Sequence, residues 1–355
     1  MDKSIVADTV VTKAPYVPTD ADFKLKNLGD AITIDENFAA QNFWKDVLIR
    51  YFRKVSAVVG LVLIVVITIM AAVGPGMNQY TYSEQNLSQK NFAPRVPGLE
   101  NLGILNGNEK MSTTTGTKIV NYYTEKGLDT VYYWFGSDNF GRDIWTRTWS
   151  GARVSLIIAV AAAIIDMLIG MSYGLISGYF GGKVDIVMQR LLEIANGIPR
   201  LVIVTLLLLV LKPGMLTIIC ALMLTEWVGM SRIARASMLK LKEQEFVLAS
   251  RTLGAGSFFI IFREVLPNII GPIITQVMFS IPTAIFTEAF LSFVGLGIPV
   301  PQCSLGSLIS EGYNSFTTHP FQIIPPIVVM ALLMLSFNLV ADGLREALDP
   351  KMKEM

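Results

Sequence analysis

Histidine and cysteine are nearly absent from this sequence. Its 355 residues include one histidine, His319, and two cysteines, Cys220 and Cys303. A zinc site needs three or four ligands of these types, and a hydrolytic triad needs a histidine beside its nucleophile. The composition therefore argues against both kinds of site. Because Cys220 lies in an apolar run and Cys303 in a polar segment, we also expect no disulfide between them.

A phosphate-binding loop of the G-x-x-x-x-G-K-[ST] type is also lacking. The nearest match, SGYFGGKV at 177–184, has Ser177 at the first glycine position and Val184 at the hydroxyl position. It also falls at the end of a predicted membrane span. We therefore expect the chain to be no enzyme and to bind no ATP of its own.

Charged residues are scarce, at 16% of the chain, whereas hydrophobic residues make up 52%. This balance is far from that of a soluble globular protein. The formal net charge of +1 gives no broad basic surface that would attract nucleic acid. The first residues lack the pattern of a cleavable signal peptide, so we expect the first membrane span to serve as the insertion signal.

Long apolar runs predict an all-α integral membrane protein with about six transmembrane helices. A bilayer core of about 30 Å needs roughly 20 mostly apolar residues per helix. Six runs meet this length, at 55–74, 154–178, 187–211, 215–237, 270–294 and 323–342. The third contains Glu193, Pro199 and Arg200 near its start. It is therefore either a kinked span or a short helix followed by a shorter span.

The distribution of basic residues predicts that both termini are cytosolic. Lys45, Arg50, Arg53 and Lys54 precede the first span, whereas GPGMNQYTYSEQ after it has no positive charge. Basic flanks stay on the cytosolic side of a membrane. By the same rule the basic segment 231–264 is inside, and the loop 296–322, without Lys or Arg, is outside.

One stretch between the fourth and fifth spans has a different pattern, EFVLASRTLGAGSFFIIFREVLPN at 245–268. In its first part, residues at three- and four-residue spacing lie on one face of a helix, namely Phe246, Ala249, Ser250 and Leu253. Gly254 is expected to adopt a positive φ and end this helix, and Ser257 to cap a second helix that stops at Pro267. The pattern predicts two short cytosolic helices joined by a glycine turn, which we call the elbow.

Two interpretations of the elbow are open. It either packs beneath its own spans or transmits a push from a cytosolic partner. The run FFIIF at 258–262 is too apolar for a freely exposed loop, and such a surface usually marks a partner site.

The elbow resembles the EAA loop of bacterial ABC importer permeases. Its helix, Gly254 and Leu266-Pro267-Asn268 match that loop, although Leu248-Ala249-Ser250 stands in place of Glu-Ala-Ala. Four more stretches are similar to the C-type subunit of the oligopeptide and dipeptide permease family, at 136–156, 178–199, 287–309 and 341–353.

The resemblance departs from the family pattern at two positions. Leu305 stands where the family usually has Trp before Gly306, and Glu264 where a His is common. The resemblance spans residues 42 to 353.

This resemblance implies a type I ABC importer permease fold in the bacterial cytoplasmic membrane. It implies a permease that moves oligopeptides or dipeptides by alternating access. The implied partners are a second homologous permease, ATPase subunits that bind ATP and Mg, and an extracytoplasmic peptide-binding protein, with no cofactor in this chain.

The coupling helix of such permeases docks into a groove of the ATPase subunit. The resemblance therefore implies ATPase contacts at Glu245, Phe246, Ala249, Arg251, Leu253, Gly254, Phe258 and Phe259.

Ionisable and polar residues inside the spans are candidates for the translocation pathway, because such groups face a cavity or a partner. These are Asp166, Glu226, Gln276, Glu288 and Asn338. Each is alternatively a hydrogen-bonding residue between helices or a contact to the second permease. We expect Arg190, Glu193 and Arg200 near the inner membrane surface.

We predict a flexible cytosolic extension at 1–40, an interfacial helix with the first span at 41–74, and an extracytoplasmic loop or cap at 75–153. These are followed by a transmembrane core at 154–342, which contains the coupling segment 240–267, and a cytosolic tail at 343–355.

Other functions stay open. The cargo is alternatively a nickel chelate or a signalling peptide, and more distant readings are a passive channel or an intramembrane protease.

Overall fold

Helices make up most of the chain, and their lengths match the thickness of a bilayer. The computed structural model describes residues 43–113 and 116–349. Five helical segments in this part are long and apolar enough to cross a membrane, and there are six if a bent pair is counted as one span. The prediction of an all-α membrane protein with about six spans is therefore confirmed. The predicted extension 1–40 and the end of the predicted tail lie outside the described residues.

The helices follow one another with one β-hairpin between the second and third. The helices are α1 Phe43–Arg53, α2 Val55–Val73, α3 Tyr122–Glu125, α4 Ile144–Ile165, α5 Ser172–Phe180, α6 Gly182–Gly197, α7 Arg200–Val210, α8 Met215–Thr225, α9 Trp227–Leu241, α10 Glu245–Thr252, α11 Ser257–Phe259, α12 Leu266–Leu291, α13 Leu305–Asn314 and α14 Ile324–Leu348. The antiparallel strands are β1 Asn108–Thr113 and β2 Gly116–Asn121.

Three wide, π-helical turns lie in the long helices. One joins α4 to α5 at Asp166–Met171, one joins α11 to α12 at Ile260–Val265, and one extends α12 at Ser292–Leu296. The crossings Ile144–Phe180 and Ser257–Leu296 are therefore single helical segments of 37 and 40 residues.

The second crossing begins well before the predicted position of 154. Asp143 caps the start of α4, because its carboxylate accepts a hydrogen bond of 2.8 Å from the backbone N–H of Thr146. The first turns of α4 are polar, so hydropathy alone does not report them. Residues 144–153 are thus helical, although the sequence interpretation assigned them to a loop.

The third predicted span is broken. Helices α6 and α7 are bent by 79° at their junction. Pro199 has no N–H to donate, and Ile198 before it is extended, with φ −84° and ψ 124°. The irregularity expected at Pro199 is confirmed, and both predicted alternatives, a kinked span and a short helix followed by a shorter span, stay open.

Helix α5 packs against α9 through glycines. Gly174 is so close to α9 that a Cβ there would lie 2.1 Å from the carbonyl oxygen of Ser231. Gly170 and Gly178, one turn away on either side, also face α9. Spacing of small residues by four lets two helix backbones approach closely inside a membrane.

Residues 77–143 form a folded loop domain. Its core consists of the buried rings of Phe92, Tyr123 and Tyr133. Tyr123 donates a hydrogen bond of 2.8 Å to the carbonyl of Ala93, and burial raises the pKa of Tyr123.

An ion-pair cluster links the loop domain to α13. The buried Arg142 contacts Asp138 at 2.6 Å and Glu311 of α13 at 2.7 Å. Arg147, near the start of α4, contacts the same Glu311 carboxylate at 2.9 Å. Because one carboxylate serves two arginines, the end of the loop domain is fixed relative to both helices.

Gly174→Val is expected to destabilise the fold, because the added side chain overlaps the backbone of α9. Overpacking of this kind costs about 1–3 kcal/mol or more. Gly197→Val is the matched control, since a Cβ at Gly197 meets nothing within 4 Å. Thermal unfolding of both purified variants in detergent measures the difference. Equal melting temperatures would contradict the close α5 and α9 contact.

Cys303 is expected to resist alkylation in the folded protein. Its side chain is 2% exposed, and burial raises the pKa of the thiol to about 11. At pH 8 only about one thiol in a thousand is then ionised, and the thiolate is the reactive form. Maleimide labelling of a Cys220→Ser protein, before and after denaturation in dodecyl sulfate, tests this. Rapid labelling of the native protein would contradict the buried position.

Candidate functional site

The elbow has the geometry of a helix, a tight turn and a second helix. Helix α10 ends in a turn in which the N–H of Gly254 donates to the carbonyl of Arg251 and the N–H of Ala255 to that of Ser250, both at 3.0 Å. These two bonds form a Schellman motif, which needs a left-handed residue at the position of Gly254. Gly254 has φ +81°, so its predicted conformation is confirmed.

Two predicted boundaries of the elbow are wrong. Gly256, not Ser257, occupies the capping position, with an extended backbone and no side-chain bond. Pro267 does not end the second helix, which continues to Leu296. The wide turn Ile260–Val265 explains this, because its longer hydrogen bond, from the N–H of Leu266 to the carbonyl of Ile261, accommodates the proline that follows.

One side of the elbow is anchored in the protein core. Val247 of α10 is fully buried, as are Ile260 and Ile261 of the second helix. They pack against Met238 at the end of α9 and Tyr179 at the end of α5. The elbow therefore moves with the ends of two membrane helices.

The other side carries unpartnered apolar side chains. Leu253 at the turn is 88% exposed and Phe258 is 66% exposed. All eight predicted coupling residues are exposed: Glu245, Phe246, Ala249, Arg251, Leu253, Gly254, Phe258 and Phe259. Whether they contact a partner stays a prediction. We define the elbow surface as the exposed large apolar residues Phe246, Leu248, Leu253, Phe258, Phe259 and Phe262.

Two members of the elbow surface were missed from the sequence, Leu248 and Phe262. The Phe262 ring stacks on that of Phe258, with centroids 6.3 Å apart. Their spacing by four residues on one helix was the available signal. On surfaces that face water, exposed apolar patches of this kind mark interaction sites.

An ion pair braces the helices beside the elbow. The Arg235 guanidinium of α9 binds both oxygens of Asp185 of α6, at 2.6 and 2.5 Å. Asp185 also accepts a hydrogen bond from Ser177 of α5. Three helices are thereby joined at the end that carries the elbow. Sequence reasoning missed this brace, because its residues are 50 positions apart.

The five predicted pathway residues do not form one cluster, although Asp166 and Glu226 are close enough to interact electrostatically. Glu288 is fully buried and accepts hydrogen bonds from Ser155 and Ser292, at 3.1 and 2.7 Å. Asp166 is buried in the wide turn after α4. Both positions match the alternative role between helices, and a pathway role stays a prediction.

The other three predicted pathway residues are less enclosed. Gln276 lines a cavity of about 460 Å³ between α9, α12 and the end of α14. Asn338 is half-buried on α14. Glu226 pairs with Arg200. Because Glu226 lies midway along the candidate span Met215–Leu241, this pairing does not match the expected position of Arg200 near the inner membrane surface.

Comparison with known proteins identifies the family. Residues 170–354, which include the elbow, match the family model described as binding-protein-dependent transport system inner membrane component. The chain belongs to this family. Residues 42–94 of this permease also match the N-terminal TM domain of oligopeptide transport permease C.

Curated relatives cover nearly the whole permease. It is 40% identical to the oligopeptide transport system permease protein OppC of Bacillus subtilis (strain 168), over 92% of this chain and 95% of the relative. It is 41% identical to the dipeptide transport system permease protein DppC of Lactococcus lactis subsp. cremoris (strain MG1363), over 89% of this chain and 92% of the relative.

Among solved structures, the inward-facing MetNI methionine ABC transporter aligns with a TM-score of 0.49 and 16% identity. The alignment covers 57% of this chain and 97% of that chain.

The family models and the curated relatives confirm the family resemblance inferred from the sequence, and the chain is a permease subunit of an ABC transporter. A transporter of this kind includes ATPase subunits and a substrate-binding protein.

Gly254→Val is expected to abolish stimulated ATPase activity of the assembled transporter while the protein still inserts. A non-glycine residue with left-handed backbone is strained by roughly 1–2 kcal/mol. Gly256→Val is the control, because Gly256 has φ −70° and its surroundings are equally open. ATP hydrolysis and immunoblots of membranes report both properties. The turn would be irrelevant to coupling if the two variants behaved alike.

Proposed function

We propose that this chain is the transmembrane permease subunit of an ATP-driven importer that carries oligopeptides or dipeptides across the bacterial cytoplasmic membrane. The observation that carries the proposal is an exposed apolar elbow surface on a segment whose other side is buried against α5 and α9. The printed names of the relatives, oligopeptide and dipeptide permeases at 40% and 41% identity, support the choice of cargo.

In this proposal the elbow surface fits into a groove of a cytosolic ATPase subunit. Closure of the ATPase pair on ATP displaces the elbow. Val247 and Ile261 of the elbow are packed against α5 and α9. A displacement of the elbow therefore moves these membrane helices with it. Access then alternates between the two sides, provided that ATP binding favours one of the two conformations.

ATP and Mg belong to the partner subunits in this proposal. The sequence between 177 and 184 lacks two of the residues that a phosphate loop requires. The remaining partners are a second homologous permease and an extracytoplasmic peptide-binding protein.

The elbow is cytosolic in this arrangement, and residues 77–143 lie outside. Support comes from basic residues on the elbow side of α9, α10 and the second helix, which are Arg232, Arg235, Lys240, Lys242, Arg251 and Arg263. Because positively charged flanking residues are retained on the cytosolic side of a membrane, the elbow is expected on that side.

Leu253→Asp is expected to prevent copurification of the ATPase subunits and to abolish peptide uptake. A charge at the centre of an apolar interface removes about 2 kcal/mol or more of binding energy, as at other interface hot spots. Leu253 is 88% exposed, so the folded subunit itself is not disturbed. Affinity purification of the complex and uptake of a labelled peptide measure the two effects.

The control for this experiment is Leu102→Asp, a change at an exposed leucine of the loop domain. This variant should retain its ATPase subunits. Normal copurification and uptake with Leu253→Asp would contradict the proposed docking, and a wild-type complex that moves no peptide would contradict the proposed cargo.

A further inference from the structure

An ion pair at the bend of the broken span links it to the span that follows. Arg200 is the first residue of α7, directly after Pro199, and Glu226 lies between α8 and α9. Arg200 Nη1 is 2.7 Å from Glu226 Oε1. The bend between α6 and α7 brings Arg200 to this position.

The pair lies near the middle of the membrane. Helices α7 and α8 contain 11 residues each and are joined by the short loop 211–214. At 1.5 Å per residue, both Arg200 and Glu226 are about 16 Å from that loop, and the apolar core of a bilayer is about 30 Å thick. Packing of Val204 against Ala221 shows that the two helices run side by side at matching depth.

The two partners differ in exposure. The Glu226 side chain is 8% exposed, whereas that of Arg200 is 47% exposed. Within the described residues Arg200 is hydrogen-bonded through Nη1, which leaves Nε and Nη2 available as donors. The neighbouring carboxyl, Asp166, is close enough to interact electrostatically with Glu226 but is itself buried.

A half-exposed guanidinium at this depth needs a ligand or water. Charged side chains inside membranes are costly and face a water-filled cavity or a charged partner. Arginine carries donors only, and its planar fork can hold two carboxylates at once. Glu226 occupies one edge of the fork and leaves the other edge open to a second anion.

We propose that Arg200 binds the C-terminal carboxylate of the peptide during its passage through the membrane. This inference rests on the proposed peptide cargo. Every unmodified peptide has one terminal carboxylate whatever its side chains are, so a single arginine serves a carrier with little sequence preference. Pairing also offsets part of the cost of bringing that charge into the bilayer.

The test compares Arg200→Gln, Arg200→Lys and wild type in the complete transporter, reconstituted in liposomes with its binding protein. Each protein transports one labelled peptide in two forms, with a free C-terminal carboxylate and with a C-terminal amide. Dividing each variant's rate by the wild-type rate for the same form removes any preference of the binding protein. Arg190→Gln is the matched control, since Arg190 forms an exposed ion pair with Glu193 on α6.

Arg200→Gln should slow the free-acid peptide about tenfold or more relative to the amide, the effect of losing a hydrogen bond between charged groups. Arg200→Lys should recover part of the rate, because it keeps the charge without the fork. Arg190→Gln should leave the ratio of the two forms unchanged.

The inference would be overturned if Arg200→Gln lowered the rates of both peptide forms, each divided by its wild-type rate, by the same factor, or if it left both unchanged. Loss of the second permease from the complex would also overturn it, since Arg200 would then be a subunit contact. A wild-type transporter that carries neither form would instead refute the proposed peptide cargo, which separates the two failures.

Discussion

The close contact between α5 and α9 is the constraint on which the position of the elbow depends. Inside a bilayer, helices gain little from hiding apolar surface, and association relies on close packing. Gly174 allows that packing by bringing the two backbones together. The ends of α5 and α9 then form a firm base for Val247 and Ile261, and the elbow is held as part of the membrane domain.

The two sides of the permease are stabilised by different interactions. On the elbow side, apolar packing is supplemented by the ion pair between Arg235 and Asp185. On the side of the loop domain, Arg142 and Arg147 share Glu311 and are themselves buried. Paired charges of this type position neighbouring segments accurately, and removal of one partner leaves the other charge uncompensated.

The features that could be predicted from the sequence are those that depend on local residue patterns. Apolar runs located the spans, and the glycine turn of the elbow followed from Gly254 and the periodicity before it. Helix ends were less accurate, because α4 starts in a polar stretch capped by Asp143. Pro267 was misassigned because the wide turn before it changes the hydrogen bonding, and the cap of the second helix falls one residue before Ser257, at Gly256. Arg200 and Glu226, 26 residues apart, meet only through tertiary structure, so no local pattern reports their pairing.

The wide turn Ile260–Val265 sets the angular phase between the elbow and the fifth crossing. A π-helical turn contains one residue more than an α-helical turn, and each residue of an α-helix advances the azimuth by about 100°. Removal of one residue from this turn would therefore swing Phe258 and its neighbours a quarter of the way round the helix axis. The composition of the elbow would be unchanged, yet its apolar side would point elsewhere. The number of residues in this turn therefore determines where the elbow surface points, as much as side-chain identity determines its composition.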